Sequence, residues 1–389
     1  MKREERGLNG IEADWSATCA IDGQAGTLRY RDVDIDELAT GWTFDEVAWL
    51  LLTGRRPSAD ELVSAEVERR ARLESRTPLL LSVLEQLPPD LHPMVALEAL
   101  LPLLGRPDGD CPELTAVTTA DGDRRHAVTE LETWTHEALD VVAGLPALVG
   151  ALAARREGRP WTLDAGSGGS ARQLLRGLLG HEPDEDDVAA MDTCLILQAE
   201  HGFNVSTFTA RVVGSSLAPP ASSLASAVSG LHGRLHGGAD ERAYRMARDE
   251  IGTPDRAVDH VREVLDDGRR IWGVGHRVYR VRDPRARILQ ELADRLTARK
   301  GGEARQVFEV LVAVEEAVQA EMAAKGKAIA ANVEFYKGPA LAALGVPPEL
   351  FTAVFAVARS AGWAAHLLEL WDDHVLYRPR ARPRVSRPH

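Results

Sequence analysis

At 389 residues, 44% of them hydrophobic and 27% charged, with a net charge of -13, the chain can bury a large core and form two domains. Its acidity excludes nucleic acid or an anionic membrane surface as the main partner. Anionic ligands would need a local basic pocket. Cys19, Cys111 and Cys194 are too few and too scattered for a disulfide framework or a zinc spacing, which favours a reducing cytoplasm. Met1 to Arg6 is charged with no apolar segment behind it, so no signal peptide is expected.

Aromatics make up 5% of the chain, while Ala and Leu recur at helical spacing, which predicts a mostly α-helical protein. Residues 7–36, with Asp22-Gly23 and Gly26, read as a small hairpin. Asp34 to Leu38 starts a helix, and Phe44, Val47, Leu50 and Leu51 define an amphipathic one ending at Gly54. Helical patterns continue through Leu104. Gly105 to Arg125 is polar and reads as an exposed loop. Helical periodicity resumes at Ala127. Val141 to Ala154 is too short to span a bilayer and contains Pro146, so it reads as a buried helix pair or a kinked helix.

The glycine cluster Ala165 to Ser170 has neither a P-loop ending nor a preceding strand and reads as a flexible connector. A capped helix then runs from Asp184 to about Glu200, presenting His201 at its end. From Gly237 the helices look shorter and more charged. One opens at Thr253-Pro254 and carries Val258, Val261 and Leu265. Another opens at Asp283-Pro284 with Ile288, Leu292 and Leu296 on one face, and a third carries Phe308, Leu311, Val314 and Val318. This change predicts a smaller helical domain over 238–345, with 1–237 and 346–389 forming the larger one.

Three histidines stand beside glycines at expected element boundaries: His201, His236 and His276. Gly273 to Arg285 also brings several arginines and a helix start, with Asp283 as N-cap and Pro284 at the first helical position. This is how an anionic carbonyl compound could be held. His232 and His236 have i, i+4 spacing, but Gly233, Gly237 and Gly238 speak against a metal-binding helix, and no metal is expected.

These segments carry a resemblance to the citrate synthase family. Gly233-Arg234-Leu235-His236-Gly237-Gly238-Ala239 resembles its Gly-Pro-Leu-His-Gly-Gly-Ala motif. Gly273 to Arg285 matches its Gly-x-Gly-His-Arg-Val-Tyr-(Lys/Arg)-x-x-Asp-Pro-Arg signature. Ala199 to Thr207, Asn332 to Tyr336, Ala358 to Trp363 and Arg378 to Ala381 resemble further family segments, and the likeness runs from about Gly7 to Ala381. The resemblance implies a two-domain helical fold whose smaller domain closes over a cleft. It also implies condensation of acetyl-CoA with oxaloacetate to give citrate and CoA, without metal or redox cofactor. Propionyl-CoA giving 2-methylcitrate is the alternative, as is a silent member that binds oxaloacetate or CoA without turnover.

By the same resemblance His236 would donate to the thioester oxygen and His276 would polarise the oxaloacetate ketone. His201, Arg285 and Arg359 would hold the carboxylates, a task suited to the planar guanidinium fork. Arg280 and Lys327 would meet CoA phosphates, with Arg282 and Lys337 as further candidates. Arg378 would reach the neighbouring site of a homodimer.

Glu334 stands where the family usually has the Asp that acts as base. The extra methylene moves the carboxylate by about one carbon-carbon bond, and a displacement of about 1 Å can cost about a hundredfold in rate. Compensation by the surroundings is the expectation; low activity or a different substrate are the other outcomes. Arg234 in place of proline and Ala330-Ala331 in place of Tyr-Pro also bear on which acyl-CoA or 2-oxo acid fits.

Overall fold

The computed structural model describes residues 8, 11–106, 108–119, 123–163, 167–275, 279 and 281–381. The chain opens with an antiparallel sheet of β1 (Cys19–Asp22), β2 (Thr27–Tyr30) and β3 (Val33–Asp34). Alternation in β2 points Leu28 and Tyr30 into the core. At the hairpin tip Gly26 takes φ +71°, and a Cβ there would lie 2.7 Å from Val281. The tip therefore rests against the segment that leads into the Asp283-Pro284 helix start.

Asp34 caps α1 (Ile35–Gly41) and Thr43 caps α2 (Phe44–Thr53) through a capping box, and Gly54 closes α2 with φ 79°. Next come α3 (Ala59–Gln86) and α4 (Pro93–Leu100). The stretch read as a polar loop instead contains an antiparallel hairpin of β4 (Leu114–Thr118) and β5 (Arg124–Val128). It also takes in Ala127, expected to begin a helix. β4 is exposed along nearly its whole length, so it lacks the apolar alternation that marks a strand.

The Val141 to Ala154 run lies inside one helix, α5 (Leu131–Arg156), which carries Pro146 internally. Among the described residues two helices, Leu131–Arg156 and Pro348–Asp372, are long and apolar enough to cross a membrane, but 83% and 100% of their apolar windows are buried in the fold. Both are core helices here.

Of the glycine cluster, Gly168 and Gly169 begin α6 (Gly169–Leu179), and Asp45 accepts from both the Ser170 amide (2.8 Å) and its hydroxyl (2.6 Å). This end of the expected connector is a capped helix start. α6 packs on α5 where Gly150 and Gly177 meet backbone to backbone; a Cβ on Gly150 would come within 2.8 Å of the Gly177 Cα.

α7 (Glu185–Ile196) ends before Glu200, and the chain turns into α8 (Val205–Gly214) and α9 (Pro220–His232). Then α10 (Ala239–Arg245), α11 (Ala257–Asp266), α12 (Pro284–Lys300), α13 (Gly302–Ala324) and α14 (Val333–Ala343) pack on one another. The apolar faces expected on α12 and α13 are buried, whereas on α11 Val258 is exposed and Val264 joins Val261 inside. Ion pairs tie α12 back to earlier helices: Arg287 to Asp36, Arg299 to Asp186 and Asp187, and Lys300 to Asp187.

The last helix, α15 (Phe351–Asp372), runs through the centre against α2, α5, α7, α8 and α9 and is buried over nearly all its length.

Because Gly150 and Gly177 leave no room for a side chain, Gly177→Val should force α5 and α6 apart. The expected cost is about 1–3 kcal/mol, read as a lower urea midpoint with an unchanged slope.

Candidate active site

The site forms where one face of α15 meets the turn after α7. Arg359, Trp363 and His366 stand at i, i+4 and i+7, so they share a face, and all three are buried. Gly362 lets that face approach: its amide donates to the Ala199 carbonyl (3.1 Å), and a Cβ there would collide with that carbonyl and with Glu200. His366 Nε2 meets Glu200 Oε1 at 2.9 Å. Burial opposes charge on both, yet each holds the other charged: the Glu200 carboxyl is lowered and the His366 imidazole raised from their ordinary values. Glu200 also accepts from the Gly202 amide, which fixes the turn carrying His201. The His201 ring lies 5.7 Å from that of Tyr279.

Arg359 donates Nε to the Gln198 carbonyl (2.6 Å) and stacks over Phe355, 4.9 Å from its centroid. Among the described residues no carboxylate hydrogen-bonds it; Glu200 and Glu334 act on it at a distance. Burial lowers its pKa, with Glu200 opposing. Such a cation suits an incoming carboxylate. Arg285, on the first turn of α12, is also buried but is gripped by Asp283, Nε to Oδ1 at 3.0 Å and Nη2 to Oδ2 at 2.7 Å. Burial opposes its charge, and Asp283 outweighs that and raises its pKa. Asp283 caps α12 as the sequence predicts.

His236 sits on the turn after α9, held by its amide to the Gly233 carbonyl (2.9 Å). Its Nε2 is 2.8 Å from Ser206 Oγ, which accepts from Trp363 Nε1 (3.0 Å) and lies 2.8 Å from Asn204 Oδ1. Asn204 in turn caps α8. Burial, aided by Arg359, lowers the His236 pKa to about 4. The ring is therefore neutral around pH 7 and can donate a hydrogen bond without carrying charge.

Glu334 lies in the first turn of α14, capped by Asn332 Oδ1 (3.1 Å). Burial raises its carboxyl pKa, while Arg285 and Lys337 pull it down and Asp283 pushes it up. A raised carboxylate suits proton abstraction near neutral pH. The chain before Glu334 pairs with the Gly273 to Gly275 segment: Val274 bridges Ala331, Gly275 N donates to Ala330 O (2.9 Å) and Asn332 N to Gly273 O (2.9 Å). Gly273 takes φ +76° and packs against Phe335.

The structure thus brings His236, Arg285, Glu334 and Arg359 close enough to act on one another's charge, and His201 joins them through Tyr279, which feels the charge of Arg285. His276 and Arg280 lie outside the described residues. Lys327 and Arg378 are exposed and do not join the cluster within this chain. The tail before Arg378 is anchored, since Tyr377 Oη bonds Asp14 (2.7 Å) and Arg211 Nε (2.9 Å).

Two further phosphate candidates are otherwise engaged. Lys337 is buried against Asp240 (2.5 Å) and Gln198 (2.7 Å), and Arg282 reaches Gln290 and Glu315. Burial removes Lys337 from any phosphate. Sequence reasoning also passed over the supporting roles of Glu200, His366, Ser206 and Asp240; the helical spacing from Arg359 to His366 was the signal for one of them.

The family sequence model described as "Citrate synthase, C-terminal domain" matches residues 7–380. A citrate synthase of Haloferax volcanii is 36% identical over 97% of this chain and 95% of that protein. A 2-methylcitrate synthase of Mycobacterium tuberculosis is 34% identical over 96% and 89%. Among solved structures, the ternary complex of carboxymethyl coenzyme A and oxaloacetate with citrate synthase from Thermoplasma acidophilum superposes with TM-score 0.84. It is 26% identical and the match covers 97% of this chain and 96% of that one. With the family model matching residues 7–380 and these likenesses spanning nearly its full length, the chain belongs to the citrate synthase family.

Proposed function

We propose that this enzyme condenses acetyl-CoA with oxaloacetate and hydrolyses the resulting thioester to citrate and CoA. The observation that carries the reading is the meeting of a neutral histidine, a carboxylate of raised pKa and two buried arginines in one cluster. The similar Thermoplasma acidophilum structure holds carboxymethyl coenzyme A and oxaloacetate, which supports the same pair of ligands here.

Glu334 takes a methyl proton from acetyl-CoA while His236 donates a hydrogen bond to the thioester oxygen, so that negative charge never develops unaided. That donor role requires the His236 proton on Nδ1, which obliges the Ser206 hydroxyl to turn its one proton from Asn204 Oδ1 to His236 Nε2. The enol carbon attacks the oxaloacetate ketone, whose oxygen takes a proton from the His276 side. Arg359, Arg285 and His201 hold the oxaloacetate carboxylates. Water then cleaves the thioester, releasing CoA as free thiol.

The 238–345 segment acts as a smaller domain that closes over the ligands and excludes water. The protein works as a cytoplasmic homodimer, with the exposed Arg378 completing the neighbouring site. Lys327 and Arg280 serve the CoA phosphates. CoA enters as a substrate thioester, and the chemistry draws on no metal or redox group.

Oxaloacetate-dependent release of free thiol from acetyl-CoA is the decisive assay. Correctly folded protein that releases none would overturn the reading, and a preference for propionyl-CoA would move it to 2-methylcitrate formation. Glu334→Gln should lower thiol release by about a hundredfold or more while calorimetry still detects oxaloacetate binding.

The pH profile follows from the same groups. Glu334 must be ionised to act, so kcat/KM for acetyl-CoA should fall as pH drops through its raised pKa, above the ordinary carboxyl value of 4.5. His236, at about 4, should contribute no limb near neutrality. A carbon-13 titration of the histidine ring that placed its midpoint near 6.5 would contradict this.

A further inference from the structure

Lys337 is an unusual tenant for a protein interior. It stands one turn after Glu334 on α14, and the exposure of the whole residue is 1%. Its ammonium forms an ion pair with Asp240 Oδ2 (2.5 Å), donates to Gln198 Oε1 (2.7 Å) and lies 4.3 Å from the Phe355 ring centre. Asp240 is fully buried in the first turn of α10, which follows directly on the turn that carries His236.

Each partner leads to a different part of the site. Asp240 belongs to the segment that carries His236. Gln198 gives its backbone carbonyl to Arg359. Phe355 carries Arg359 over its face at 4.9 Å and meets the His236 ring edge-on at 6.4 Å. Lys337 is therefore the point where the helix of Glu334, the turn of His236 and the anchor of Arg359 are bonded together.

A buried ion pair is a poor means of gaining stability, because desolvation consumes most of the Coulombic attraction; its better-attested use is to specify one geometry over others. The geometry at stake is the separation between the proton donor to the thioester and the carboxylate that takes the methyl proton. That is where the longer side chain of Glu334 demands correction.

We infer that Lys337 and Asp240 are positioning residues for the condensation, an ion pair that sets the distance between His236 and Glu334 and so accommodates glutamate as the base. The inference rests on the reading of Glu334 as base. Neither residue touches substrate; they act through the groups they hold. The charges facing Glu334 are those of Arg285 and Asp283 from the start of α12, Arg359 from α15 and Lys337 from its own helix. Removing Lys337 thus subtracts one cation from that set.

The test is the neutral pair Lys337→Met/Asp240→Asn in the full-length protein, with Glu334→Gln measured alongside. The double variant should melt within a few degrees of the parent. Its kcat/KM for acetyl-CoA should fall about ten- to a hundredfold, as a displacement of up to about 1 Å produces. KM for oxaloacetate should change less than about threefold, because Arg285 and Arg359 remain. The acid limb of kcat/KM should move to higher pH, a shift that loss of packing alone does not produce.

A folded double variant with parental kcat/KM and an unmoved acid limb overturns the inference. Should the double variant fail to fold, Lys337→Arg and Asp240→Glu decide: each keeps the charge and alters the spacing, so each should lose rate with the limb in place, and full rate in both overturns it. If Glu334→Gln keeps turnover, the base reading itself fails. An inactive Glu334→Gln beside an unaltered double variant sinks only the role of the ion pair.

Discussion

The site depends on a close approach between the central helix and the turn that follows α7. Gly362 has no side chain, so α15 can bring Arg359, Trp363 and His366 against Ala199 and Glu200. From that contact the rest follows by hydrogen bonds. Glu200 holds His366 and the turn bearing His201, Gln198 holds Arg359, and Trp363 holds Ser206, which holds His236. One missing Cβ thus lies beneath several catalytic-type groups that are distant in sequence.

The interior concentrates charge in a way that burial alone would forbid. A lone buried ion is so costly that it tends to neutralise, and here most are neutralised by partners instead: Arg285 with Asp283, Lys337 with Asp240, His366 with Glu200. Arg359 has a carbonyl and an aromatic face in place of a carboxylate partner, and Glu334 is raised in pKa. Residual charge of both signs is therefore available to ligands where it is useful, while the supporting shell is balanced. Glu334 and His236 move in opposite directions chemically but for one reason: desolvation favours the neutral form of each.

Much of this was legible in the sequence. The helix starts read at Asp34, Asp184 and Asp283 each carry a side-chain cap, and five of the proposed site residues converge. The β4–β5 hairpin was not legible, because a strand exposed on both faces carries no apolar rhythm and is defined only by its cross-strand partner. Lys337 misled for a related reason. A lysine near a phosphate-type motif reads as solvated until its partner is known, and Asp240 lies on another helix. Arg359, a solvated charge when read alone, is buried because α15 occupies the centre of the fold, which no local pattern reveals.

The anchoring of the tail has a consequence for entropy. Tyr377 is fastened to α8 and to the beginning of the chain through Arg211 and Asp14, and Arg378 is the next residue. An anion that meets this guanidinium has one side chain to immobilise rather than a wandering terminus, and each rotamer-rich side chain ordered on binding costs only about 0.5–1.5 kcal/mol. Folding has already stiffened the arm.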